Sequence, residues 1–221
     1  MNLPNALLPN EWTLAGNLIF LGTIGYILKT ISWEPLKENY KQHVWLGLAV
    51  GLMLIWSIKT GVRPGLNFHM LGASLLTLMF GPRLAILNLV FVLLGVTIAG
   101  MSGWDSFAWN AILMAILPST FTAILFNLVD KKLPNHFFVY IFANAFIGSG
   151  MAIFLVGVML CTLFIFSGVY TTHYLWDNYL PYYILMAWSE GFTTGMAMTV
   201  LVVYRPQWVS TFDDLRYIKN K

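Results

Sequence analysis

Seven apolar runs, nearly free of charge, fill most of the 221 residues, which is more apolar chain than a soluble fold of this size can hide. They run from Leu14 to Leu28, Val44 to Ile58, Phe68 to Phe80, Leu84 to Ala99, Phe107 to Leu128, Phe137 to Phe166 and Tyr183 to Tyr204. Several approach the roughly 17–25 residues of a membrane-crossing helix. Charged residues make up 10% of the chain and gather in the connections, whereas an ordinary soluble domain carries about 25%. The pattern predicts an all-α, polytopic membrane protein of about seven transmembrane helices. One of these is short or broken, and residues 1–221 form a single integral membrane domain.

The third run is the short one. Its thirteen residues, ended by Gly81-Pro82-Arg83, would span roughly 20 Å of a hydrocarbon core about 30 Å thick if wholly helical. A segment that stops inside the bilayer has to satisfy its end groups on protein or in a wet cavity, and such breaks tend to mark sites. The sixth run is longer than needed and contains Gly148-Ser149-Gly150, so one tilted or kinked helix and two pieces are both open readings. Charge placement orients the set. With the amino end outside, the inner loops hold Lys29, Lys37, Lys41, Arg83, Lys131, Lys132, Arg205, Arg216, Lys219 and Lys221. The outer loops then hold only Lys59 and Arg63. That asymmetry follows the positive-inside rule and puts the carboxyl end in the cytoplasm. It also accounts for the net charge of +3, leaving no basic stripe for nucleic acid.

Residues 1–12 lack a basic region ahead of an apolar core. With two prolines and two apolar clusters they read as a retained segment folded at the outer mouth rather than as a signal peptide. The loop from Ile31 to Gln42 has charges at near-helical spacing, which suits a short surface helix at the inner face. Six aromatic or imidazole side chains between Tyr170 and Tyr182 read as an interfacial anchor. Cys161 stands alone in an apolar run and reads as a small core residue. The hydrolase, nucleotide-loop and paired-cysteine motifs are all absent, so the chain reads as a non-enzyme without an organic cofactor. Uphill transport would then draw on an ATPase partner or an ion gradient.

Few polar groups remain as candidates for chemistry. His69 heads the short run, beside Asn67 and Met70, and imidazole binds borderline transition metals well. A packed histidine with one hydrogen bond is the alternative. Glu190 is the only acid within an apolar run and should therefore face a cavity or a partner, with Ser189 able to bond it. Asp105 and Asn110, in and just beyond an outer loop, are the next polar groups expected on the side of His69.

Four stretches together resemble the membrane substrate-binding subunits of energy-coupling-factor transporters for cobalt and nickel. They are Met1 to Trp12, His69-Met70-Leu71-Gly72-Ala73-Ser74-Leu75 with Gly81-Pro82, Asp105 to Asn110, and Ser189-Glu190-Gly191-Phe192 with Thr194. The likeness keeps their order over nearly the whole chain. It implies seven helices, an amino terminus tucked into the outer mouth, and a bacterial inner-membrane location among lipid. It also implies an energy-coupling subunit and ATPase partners. The ion carried would be cobalt, nickel or copper, held in a square-planar nitrogen set. Those nitrogens would come from the Met1 amine, the second residue and His69, with Asp105, Asn110, Glu190 and Met70 in support. The chain departs at position 2, where the family has histidine and this sequence has Asn2. Asn2 offers only an amide, a poor ligand for these ions. Either the metal is bound differently, by His69 with Met1, Met70 or Met101 and with preference for a softer ion such as Cu(I), or metal binding has been lost and the chain is a membrane scaffold.

Overall fold

The computed structural model describes residues 1–219; Lys221, counted above among the inner basic residues, lies outside them. Among the described residues the helices are α1 (Asn10–Thr30), α2 (Asn39–Ser57), α3 (Ala73–Phe80), α4 (Pro82–Ile98), α5 (Phe107–Lys132), α6 (Phe137–Phe166), α7 (Thr172–Asn178) and α8 (Tyr182–Tyr204). A small antiparallel hairpin, β1 (Thr60–Arg63) with β2 (Leu66–Phe68), stands between α2 and α3. The hairpin is a departure from the all-helical expectation. Alternation between a short polar turn at Pro64-Gly65 and its flanks makes it, and Gly65 takes the positive φ of 78° that the turn requires.

α5 and α6 are long and apolar enough to cross a membrane. The outer faces of the bundle are apolar as well. Leu14, Leu18 and Leu21 on α1, Leu46, Val50 and Leu54 on α2, and Leu185, Trp188, Phe192 and Met196 on α8 are all exposed. Rows of large apolar side chains on that scale belong against lipid rather than water.

α3 sits inside this shell, in contact with α4, α5, α6 and α8, and seven of its eight residues are buried. At 1.5 Å per residue it rises about 12 Å. The run Phe68–Phe80 is therefore not one helix. Phe68 ends β2, residues 69–72 are irregular, and Gly72 at φ 68° turns the chain into the helix. Hydropathy alone cannot see that change of backbone state. At the other end Gly81 (φ 81°) and Pro82, the first residue of α4, reverse the chain.

The sixth run is a single helix, α6, widened to π-type turns over Tyr140–Ile147. α5 widens likewise over Ile112–Ile116, immediately before Pro118, whose missing N–H and bulky ring oppose regular α-helical bonding there. The charged loop from Ile31 to Gln42 forms a 3-10 turn, Glu34–Leu36, flanked by ion pairs of Lys37 with Glu34 and Lys41 with Glu38. The aromatic stretch from Tyr170 onward is only partly an exposed anchor. Tyr179 and Tyr183 are fully buried, packed on Phe68 with ring centroids 4.8 and 5.4 Å away.

Candidate metal centre

The first residues run into the bundle, and Met1, Asn2 and Leu3 are 1%, 2% and 0% exposed. A segment with no helix or sheet of its own needs other partners for its backbone, and the α4–α5 connection supplies them. Asn110 Oδ1 accepts from Leu3 N at 2.8 Å, while Asn110 Nδ2 and Gly103 N donate to Leu3 O at 3.1 and 2.9 Å. Ser106 Oγ donates to Pro4 O at 2.9 Å, and Trp109 Nε1 donates to Trp12 O at 2.6 Å. The two strips of backbone touch so closely at Gly103 that a Cβ there would lie 2.4 Å from Pro4 C and Asn5 N. Only glycine admits that approach.

The hairpin grips the terminus from the other side. Asn67 Oδ1 accepts from the Met1 amine at 2.5 Å and from Asn2 N at 2.9 Å, and Asn67 Nδ2 donates to Asn2 O at 3.0 Å. The amine also donates to the Asn67 carbonyl, which in turn accepts from the Tyr179 hydroxyl at 3.3 Å. Burial, aided by the charge of Lys59, holds the amine's pKa well below the usual terminal range. That shift favours the neutral amine, whose lone pair a metal ligand needs.

His69, 4% exposed, closes the cluster. Its Nε2 lies 2.9 Å from Asn2 Oδ1 and its Nδ1 lies 3.1 Å from Met70 O. The ring packs on Trp56 at 4.9 Å between centroids, and Trp56 Nε1 donates to Leu71 O at 3.2 Å. Glu190, 2% exposed, holds the same irregular segment from α8. Its two carboxylate oxygens accept from Leu71 N at 2.9 Å and Gly72 N at 2.7 Å. These N–H groups belong to the two residues immediately ahead of α3, and a carboxylate bridging them satisfies both bare donors near the positive end of the helix dipole. A groove of about 550 Å³ between α2 and α8, lined in part by Ile55, Met70, Leu185 and Ser189, reaches His69 from the side.

Met1, Asn2 and His69 are thus brought together, with Asn110 and Glu190 one contact behind them. Other expected members are elsewhere. Asp105 is exposed and approaches the segment only through its backbone N–H, 3.2 Å from Asn5 Oδ1, because the loop turns its side chain outward. Ser189 Oγ donates to Leu185 O on its own helix rather than to Glu190. Met70 carries its sulfur toward Thr193, 4.0 Å from the hydroxyl, and Met101 contributes a carbonyl to Lys59. Asn67 was noted only as a neighbour of His69. Lys59 and Trp56 gave no sequence signal of their own. Among the described residues no group of three or more His, Cys, Asp or Glu gathers at metal-binding distance. The donors here are an amine, amides and one imidazole.

Residues 2–208 match the family described as the cobalt uptake substrate-specific transmembrane region. No curated protein matches the chain in sequence. Two crystal structures share its fold. A truncated transition-metal transporter is 15% identical with a TM-score of 0.74, covering 92% of this chain and 99% of its own. A second transition-metal transporter is 16% identical with a TM-score of 0.71, covering 91% and 92%.

Proposed function

The chain belongs to the cobalt-uptake substrate-specific transmembrane family, and on that premise we propose that it captures a transition-metal ion for an energy-coupling-factor type transporter. In this reading seven helices cross the bacterial inner membrane, with the amino end outside. Residues 1–12 lie in the outer mouth, and a coupling subunit with ATPases supplies the energy. The ion is taken by the Met1 amine, Asn2 and His69, which Asn110 and Glu190 position. The observation that carries this reading is the convergence of those three residues in one buried cluster, whose members come from sequence positions more than sixty residues apart. Bringing them together takes two cradles, the α4–α5 connection and the hairpin, which a merely tethered terminus would not need.

His69 Nδ1 faces the Met70 carbonyl, and with the ring proton on that nitrogen Nε2 carries the lone pair that an ion would take. Purified protein beginning at Met1, titrated calorimetrically with cobalt, nickel and copper salts, tests the reading. Binding should be lost in His69→Ala and in a chain with one residue added ahead of Met1. Affinity indifferent to both changes would refute it.

One observation favours a second reading, a membrane scaffold with no cargo. The cluster closes on itself through hydrogen bonds between Asn67 and the Met1 and Asn2 backbone. Protein isolated from its native membrane without cobalt, nickel or copper, in complex with partners other than a coupling subunit, would establish that reading.

A further inference from the structure

Lys59 stands between the end of α2 and β1, at the base of the hairpin, and its Nζ donates to the Met101 carbonyl in the α4–α5 connection. The side chain therefore joins the two walls that hold the first three residues. On one wall Asn67 binds Met1 and Asn2, and on the other Gly103 and Asn110 bind Leu3. A bond to a neutral carbonyl fixes the ammonium in place without cancelling its charge. Among the described residues Lys59 takes part in no ion pair. Glu190, the acid that braces the segment carrying His69, gives both its oxygens to Leu71 N and Gly72 N.

The charge of Lys59 reaches the donors. Burial is the first cause that lowers the pKa of the Met1 amine, and Lys59 is the second. On His69 burial acts first and the amine next, and Lys59 adds to both against the opposing Met70 carbonyl. A charge that disfavours a proton on those nitrogens also repels a metal cation approaching them.

The side groove offers such an ion no detour. Ile55, Ile58, Leu185 and Met186 line most of it, and Ile58 and Leu185 are exposed among the apolar outer faces. A hydrated cation would have to shed its water there with little to replace it. An ion arriving from the aqueous side meets the rim where Lys59 is exposed.

We propose that Lys59 controls admission of the ion: its ammonium, held at the rim by Met101, repels cations approaching Met1 and His69, slowing their capture and weakening their hold. The proposal rests on the metal-capture reading and adds to it the residue that sets the rate. A transport site has to accept its ion and also let it go, and a fixed like charge beside neutral donors keeps binding from becoming a trap. Arg63, also basic and also in the hairpin, lies over the Tyr174 ring at 4.3 Å and serves as the control.

Stopped-flow mixing of the purified chain, in a neutral detergent, with cobalt(II) or nickel(II) perchlorate tests this. Trp56 packs on His69, so arrival of the ion should quench tryptophan fluorescence. In the unaltered protein the association rate should rise several-fold as sodium perchlorate goes from about 10 to about 150 mM, because the screening length shortens from about 30 to about 8 Å. Lys59→Met should associate about tenfold faster at the lower salt and lose that rise. Lys59→Arg and Arg63→Met should both behave as the parent does. Should Lys59→Met fail to fold, the unaltered protein decides alone: an association rate that stays flat or falls with salt overturns the proposal. It is overturned equally by a Lys59→Met variant no faster than its parent, by a Lys59→Arg variant that matches Lys59→Met, or by an Arg63→Met variant accelerated as much. In each of those outcomes ions still bind and capture through His69 stands. Binding of neither ion, or equal binding by His69→Ala, removes the capture reading and the proposal with it.

Discussion

Glu190 shows how much a single buried carboxylate does in this protein. It is tied to two backbone N–H groups of the segment that carries His69, and it ties them to α8. Glu190→Leu would leave both donors bare, at about 1–3 kcal/mol each, and should lower the melting temperature in detergent markedly. Glu190→Gln retains one acceptor oxygen and should lose less; equal melting of the two variants would show that the bonds contribute nothing. His69 and Glu190 were legible in the sequence for one physical reason. Ionisable groups in apolar runs are costly, so each one present demands an explanation. Asp105 misled because the side of the membrane on which a residue lies says nothing about where its side chain points. Asn67 stayed hidden because an uncharged amide in a short polar stretch looks like any turn residue until its strand is known.

At the scale of elements, the site depends on two close approaches and one short helix. Gly103 is the tighter approach. Gly103→Ala should push residues 3–5 from their cradle, lowering metal affinity about tenfold or more while the helices stay folded, as read by calorimetry and circular dichroism side by side. Unchanged affinity would mean that the terminus tolerates displacement. Apolar periodicity located α1, α2, α4, α5, α6 and α8 within a few residues, because each is a long apolar run bounded by polar or charged connections. It failed at Phe68–Phe80, where strand, irregular segment and helix share one apolar composition. Composition specifies burial there, and the backbone states of Gly65, Gly72 and Gly81 specify shape.

The whole molecule inverts the usual arrangement of polarity. Its outer faces carry leucine and aromatic rows, while Ser74 meets Thr122 at 2.8 Å and Glu190 meets the head of α3 within the bundle. The orientation proposed from the basic loops is open to direct trial. In a Cys161→Ser background, Thr172→Cys should react with a membrane-impermeant maleimide added to intact cells, and Lys132→Cys should react only after lysis. The reverse labelling would invert the protein and put His69 on the cytoplasmic side.

The most direct measurement of the central claim is X-ray absorption at the edge of whichever ion, cobalt, nickel or copper, stays bound to the purified chain through gel filtration. The expected spectrum shows one imidazole among light nitrogen and oxygen donors, with the imidazole scattering absent from His69→Ala. A shell containing sulfur, a shell without imidazole, or a spectrum unchanged by the substitution would contradict capture by Met1, Asn2 and His69.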